Sequence, residues 1–317
     1  MKLVEIPAPE FDLAITLNSG QVFHWEKADS GFAGAIGDRA VYVDQDGEVL
    51  RVRDGESRIR SPRRPLPEVI RNYFALDHPL TEICASFPND PVMNAAQDFC
   101  RGLRIIRQPK WECLATFICS SMKQVAHIRQ ISRKLRERFG EACKIDPPSP
   151  RLRRGKAIDG LVLHTFPSAE RLAASSEKEL RKCGLGYRAI NLLRTARLVR
   201  SGEADLEAWS TLSDVDLRKR LCALPGVGAK VANCVMLFAY ERLRAFPIDV
   251  WIERVLREKY FPRARRLNAA RLQAFTQGYF GEYGGYAQQY LFHYARTTRR
   301  RKGSPDPGRN DKTARVR

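Results

Sequence analysis

"LCALPGVGAKVANC", residues 221–234, is the stretch on which the fold turns. Just before it, "SDVDLRKRLCAL" opens with Ser213 and Asp214 as candidate N-caps and sets Val215, Leu217, Leu221, Cys222 and Leu224 at roughly helical spacing. Pro225 and Gly226 stop that helix, and "AKVANCVMLFAYERL" reads as a second one. The unit is therefore helix, glycine hairpin, helix, over about residues 214–238. Gly226 and Gly228 permit positive φ and bare the backbone, which leaves the amides of Gly226, Val227, Gly228 and the next helical turn open to an anion, most simply a phosphate. A nucleotide-binding P-loop fits poorly. It needs four residues between its glycines and Ser or Thr after the lysine, whereas Gly226 and Gly228 are followed here by Lys230 and Val231. On these residues alone, an ordinary αα-turn with a surface lysine is the plainer reading.

The 317-residue chain can bury a substantial core and hold two or three small domains. Lys and Arg number 55 against 36 acidic residues, and the formal net charge of +19 favours a polyanionic partner, most simply nucleic acid. A membrane surface is the weaker alternative. No apolar run approaches the roughly 20 residues of a spanning helix, and "MKLVEIPAPEFD" lacks a signal-peptide core. The eight cysteines lie mostly in apolar periodic stretches, as reduced thiols of an intracellular protein do. No Cys-x-x-Cys pair occurs, which argues against a zinc finger and against a four-cysteine iron–sulfur cluster, so no metal and no cofactor is expected.

Along the chain, "DLAITLNSGQVFHW" and "GFAGAIGDRAVYVDQDGEVLRVR" read as short strands, with Asp46-Gly47 as a turn, and predict an antiparallel sheet. "PLPEVIRNYFAL", "PLTEICASF" and "PVMNAAQDFCRGL" read as helices, and "RIIRQ" as a β-branched piece able to return to the sheet. From Trp111 onward the pattern is helix after helix, with "KIDPPSPRLRRG" and "HTFPS" as loops. The expected organisation is α+β: a β-rich domain over residues 1–108, an all-α region over 109–296, and a disordered basic tail over 297–317. The tail's "RRRK" reads as a DNA-adhesive run or as a nuclear signal.

"NSGQVFHW", "RIIRQPKWECLATFICSS", "CGLGYRA", "LCALPGVGAKVANC", "FPIDVW" and "YGGYAQQYLF", in that order between residues 18 and 292, together resemble the 8-oxoguanine DNA glycosylases of the helix-hairpin-helix superfamily. The resemblance implies a TATA-box-protein-like β domain followed by helical domains with DNA in the cleft. It implies a bifunctional glycosylase and abasic-site lyase acting on double-stranded DNA that contains oxidised guanine, with formamidopyrimidine as a related substrate. A monomeric, intracellular, DNA-associated protein is expected, in cytoplasm, nucleoid or nucleus.

The resemblance also gives Lys230 a task. A lysine at its reference pKa of about 10.4 is protonated at neutral pH, while burial and the positive end of a helix both disfavour the ammonium, so the first turn of an apolar helix suits a nucleophilic amine. In the family's pattern Lys230 displaces the damaged base at the anomeric carbon, forms a Schiff base and permits β-elimination, while Gly226, Val227 and Gly228 bind backbone phosphates. Asp249 is placed to N-cap a helix opening at Val250, and by resemblance is also the carboxylate that stabilises the oxocarbenium charge; the two roles are compatible. On the last helix Gln288 and Phe292 are four apart and share a face, where the family's pattern has Phe292 stack on the flipped base and Gln288 bind its Watson–Crick edge. Cys234, one turn after Lys230, would by the same resemblance face the other side of the base, or is simply a core thiol. By the same resemblance the Gly20 carbonyl accepts a hydrogen bond from the N7–H that distinguishes the lesion from guanine, unless Gly20 is only a turn glycine.

Breaks at Gly184 and Gly186 expose Tyr187 and Arg188 at a helix start, as an aromatic wedge with an arginine or as an aromatic packed on its neighbour. The sequence departs from the pattern at "SSMKQVAH", where Met122 stands at the plug and His127 at the arginine that reads the orphaned cytosine, and at Trp251, which replaces a histidine expected to touch phosphate. His127 offers few donors, which puts selectivity for cytosine in question. Two further readings remain. One is a thymine-glycol-type enzyme of the same superfamily, whose iron–sulfur cysteines are missing here; the other is a non-catalytic helix-hairpin-helix module in which Lys230 only contacts phosphate.

Overall fold

The computed structural model describes residues 3–55, 64–121, 123–145, 151–153, 156–158, 161–264 and 266–301. Its N-terminal part is an antiparallel sheet of β1 (Val4–Pro7), β2 (Glu26–Ala28), β3 (Gly31–Ile36), β4 (Arg39–Asp46) and β5 (Val49–Asp54), in the order β1-β5-β4-β3-β2. Gly47 makes the β4–β5 turn at φ +57°, closing the pair Asp46 and Val49. Val41 and Val43 face one core with Phe11, Trp25, Leu50, Val52, Ile70 and Phe74. Tyr42 and Ala40 face another, with Cys143, Ile145 and Leu163.

Those last three residues come from the middle of the chain, on a ribbon that pairs β6 (Ala142–Ile145) with β9 (Leu161–His164); β7 (Arg151–Arg153) pairs with β8 (Lys156–Ile158). Because the β6–β9 ribbon covers the sheet's second face, β4 is buried over six consecutive residues and shows no polar-out alternation. The expectation of helices only after Trp111 is corrected here: these strands are too short to carry a period.

Two other expectations fail. "DLAITLN" is not a strand but α1 (Leu13–Asn18). Leu13, Ile15 and Leu17 alternate, yet Asp12 caps a helix through Ile15 N at 2.7 Å, and it is Leu13, Thr16 and Leu17 that are buried. "RIIRQ" does not rejoin the sheet. It runs through the core with its backbone satisfied elsewhere: Ile106 N donates to Gln21 Oε1 at 2.8 Å, Gln21 Nε2 donates to the Arg104 carbonyl at 2.8 Å, and Gln108 N donates to the Phe238 carbonyl at 2.8 Å. One buried side-chain amide thus does the work of a neighbouring strand.

The helices α2 (Leu66–Tyr73), α3 (Leu80–Ala85) and α4 (Pro91–Phe99) lead into the helical region. This comprises α5 (Lys110–Ser120), α6 (Val125–Phe139), α7 (Ala169–Ala173), α8 (Glu177–Leu180), α9 (Arg188–Ser201), α10 (Asp214–Cys222), α11 (Ala229–Ala239), α12 (Val250–Val255), α13 (Ala269–Tyr279) and α14 (Gly284–Arg301). Helix α14 continues past residue 297, so the expected tail cannot begin there; residues 302–317 lie outside the described residues. Among the described residues no helix is long and apolar enough to cross a membrane.

Glu112 on α5 pairs with Arg136 on α6, their side chains 9% and 6% exposed, and His24 Nδ1 lies 3.4 Å from the same carboxylate. Burial, with the Arg136 charge beside it, pushes the His24 imidazole well below its ordinary value, so the positive charge opposite Glu112 is the arginine's. Arg136→Met is expected to strand Glu112 and to cost about 3–5 kcal/mol in a denaturant titration, whereas a loss near zero would show that Glu112 finds another partner or a proton.

Candidate active site

Ser213 caps α10 by accepting from Asp216 N, and the chain leaves that helix through Pro225 into Gly226 at φ +81°. A Cβ at Gly226 would stand 2.9 Å from that of Asn191, so both conformation and space call for glycine. Gly228 differs from expectation: its φ of −97° is ordinary extended backbone. Val227 differs too. It is buried, and its amide turns inward to the Leu224 carbonyl at 3.1 Å, so it is not among the open donors. Helix α11 starts at Ala229, and Gly228 before it has no side chain to cap it, which leaves the first-turn amides without a protein acceptor among the described residues.

Lys230 sits on that first turn, partly buried, with Nζ 5.3 Å from the centroid of the Phe117 ring. Burial pushes the thiol of Cys234, one turn on, up to about 11 against the pull of the Lys230 charge, so Cys234 is neutral. Asp249 caps α12, accepting from Ile252 N at 2.9 Å, and its charge faces Lys230. Burial raises the carboxyl above its usual range; Lys230, the amides of Ile252 and Trp251, and Arg296 pull it back. Asn233, also on α11, donates to the Phe246 carbonyl at 3.3 Å and so ties the loop that delivers Asp249 to the helix that carries Lys230.

A second group adjoins the first. Gly20 has φ +93°, and a Cβ there would stand 2.9 Å from the Phe292 ring and 3.0 Å from the Arg296 guanidinium, so no side chain fits. Gln288 is 4% exposed, and its Oε1 is buried with no hydrogen-bond partner among the described residues. A buried acceptor left open in this way is an unmet demand for a donor, which a bound molecule can supply. Gln289 donates to the Ser19 carbonyl at 3.0 Å and holds the Gly20 segment against α14.

The third group is brought together only in part. Tyr187 is 57% exposed at the start of α9. Arg188 is not exposed with it, contrary to expectation. It is 5% exposed and spends its guanidinium on carbonyls, with Nε donating to Ser121 O at 2.7 Å and Nη1 to Leu185 O at 3.3 Å, while its guanidinium carbon lies 4.4 Å from the Tyr187 ring centroid. A cation at the C-terminal end of α5 also meets that helix's negative pole. Met122 lies outside the described residues, and His127 is exposed on the first turn of α6. His127 borders a cavity of about 640 Å³ between the sheet and α6, together with Lys27, Arg129 and Arg133. Lys230 and Asp249 do not line that cavity.

Sequence reasoning missed Phe117 and Arg296. Nothing local marks Phe117 as lying beneath Lys230. Arg296 could have been found by continuing the row Gln288, Phe292 by one more turn.

Residues 3–114 match the family described as 8-oxoguanine DNA glycosylase, N-terminal domain, and residues 115–276 match the HhH-GPD superfamily base excision DNA repair protein. The chain is 30% identical to the Arabidopsis thaliana N-glycosylase/DNA lyase OGG1 over 89% of its own length and 77% of that protein. Its fold is similar to that of the Clostridium acetobutylicum 8-oxoguanine glycosylase/lyase, solved with double-stranded DNA containing cytosine opposite to 8-oxoG, with TM-score 0.79, 28% identity and coverage of 94% and 99% of the two chains. The 3-methyladenine DNA glycosylase of Archaeoglobus fulgidus shares the fold at TM-score 0.72 and 18% identity, covering 94% of this chain and 99% of that one. One fold thus serves different damaged bases, and the site has to decide among them.

Proposed function

Since the chain belongs to the 8-oxoguanine DNA glycosylases of the helix-hairpin-helix base excision repair superfamily, bifunctional N-glycosylase/DNA lyase enzymes, we propose that it flips 8-oxoguanine out of duplex DNA and excises it through Lys230. The observation that carries this reading is Lys230, partly buried on the uncapped first turn of an apolar helix with its Nζ 5.3 Å from the centroid of the Phe117 ring, and facing the charge of the buried Asp249 carboxyl. The amine attacks the anomeric carbon, and the bond to the base breaks with its electron pair leaving on the base, which takes up a proton. Ring opening then gives the Schiff base. Loss of the neighbouring sugar proton expels the 3′ phosphate by β-elimination.

Asp249 stabilises the positive charge that develops on the sugar. Phe292 stacks on the extruded base, the open Gln288 acceptor takes a donor from its Watson–Crick edge, and the Gly20 carbonyl meets the N7 proton. Gly228 and the first-turn amides of α11 take a backbone phosphate, Tyr187 enters the vacated stack, and the excess of positive charge holds the duplex. Formamidopyrimidine, which offers the same donors, is a second substrate. Borohydride trapping on a duplex containing 8-oxoguanine tests the reading: a covalent adduct is expected, and its absence, with binding intact, leaves a DNA-binding module instead.

His127 predicts a further property. An imidazole gives an orphaned cytosine fewer donors than an arginine fork, each base-specific contact being worth about 1–3 kcal/mol. Single-turnover excision is therefore expected to discriminate less sharply among C, T, G and A opposite the lesion than an arginine reader would, and His127→Arg to sharpen the preference for C. A native enzyme that already prefers C by orders of magnitude overturns this.

A further inference from the structure

Helix α14 carries the row Gln288, Phe292, Arg296, and its last member is 8% exposed. The Arg296 guanidinium carbon lies 5.3 Å from the Phe292 ring centroid, and Nη2 donates to the Asn18 carbonyl at 2.6 Å and approaches His293 Nδ1 at 3.5 Å. Nη1 would stand 3.0 Å from a Cβ at Gly20. One cation therefore touches the segment that presents the Gly20 carbonyl, lies over the ring on its own helix, and faces Asp249 as Lys230 does from α11. A planar guanidinium can satisfy several partners at once; an ammonium on the same stem cannot donate to Asn18 and cover the ring together.

We propose that Arg296 is a positioning residue for base recognition, fixing the Asn18–Gly20 segment against Phe292 so that the carbonyl and the ring meet the lesion as one rigid unit. This rests on the function proposed above. It separates two steps: base excision needs the carbonyl and the ring in register, whereas Schiff-base formation at an abasic site has no base to recognise. A brace that merely holds α14 to the N-terminal domain would affect both steps alike.

The test compares Arg296→Met and Arg296→Lys with the native enzyme, in single-turnover excision from an 8-oxoguanine duplex and in borohydride trapping on a duplex with a preformed abasic site. In Arg296→Met the excision rate is expected to fall roughly tenfold to a hundredfold further than trapping does, the factor carried by one or two base-recognition contacts. Arg296→Lys is expected to recover only part of it. If the methionine variant does not fold, the lysine variant, which keeps stem and charge, carries the same comparison. Equal losses on the two substrates, or no loss on either, overturn the proposal. Failure of the native enzyme to trap either duplex is a different result: it removes the glycosylase/lyase chemistry and this inference with it.

Discussion

Lys230→Gln is expected to bind lesion-containing duplex, to form no borohydride-stable adduct and to excise no base. An amide can lie over Phe117 as the amine does but forms no imine, so the loss is that of a missing nucleophile, on the order of 10⁶-fold. Because the residue is only partly buried, the melting temperature is expected to stay near the native value. Turnover or trapping in this variant moves the nucleophile elsewhere and reduces Lys230 to a phosphate contact.

Asp249→Asn separates the observed cap from the charge-stabilising role proposed for the same carboxylate. Asparagine caps a helix about as well as aspartate, so the bond to Ile252 N survives and the thermal transition is expected to hold. Excision is expected to fall by about 10²–10³-fold, because the charge opposite the reacting sugar is gone. A slowed variant with an equally lowered melting temperature would instead assign the loss to the cap.

The pH profile adds a sign. Burial holds the Asp249 carboxyl above the ordinary aspartate range against the pull of Lys230 and of Arg296, with the neutral Cys234 thiol as the other titratable neighbour on α11. The carboxylate fraction falls as pH falls through that raised value. Native excision is therefore expected to decline on the acid side at a higher pH than a free aspartate would give, and the asparagine variant to lack that limb.

What was legible in the sequence was what is local. Ser213, the Pro225-Gly226 break and the cap at Asp249 each act within a few residues, and α10, α11 and α12 lie where these signals put them. "DLAITLN" was ambiguous because Leu13, Ile15 and Leu17 fit a period of two while Leu13, Thr16 and Leu17 fit a turn of helix, and only the cap decides. The burial of Arg188 was not legible, since its partner is the Ser121 carbonyl on another helix end, and a backbone acceptor leaves no mark in a sequence. Gly20 and Phe292 are brought to the same place by Gln289 and Arg296, contacts across some 270 residues that neither periodicity nor spacing encodes.

The ribbon that closes over Tyr42 imposes an order of events during synthesis. The sheet's last strand ends at Asp54, but the residues that cover its second face arrive with Cys143, Ile145 and Leu163. At ribosomal rates of roughly 5–20 residues per second, the nascent sheet waits on the order of 5–20 s with an apolar face uncovered. That interval, before the helices that carry Lys230 and Asp249 exist, is when a chaperone has something to hold, and when a charged substitution at Cys143 or Leu163 would send the chain toward aggregation rather than merely loosen the finished enzyme.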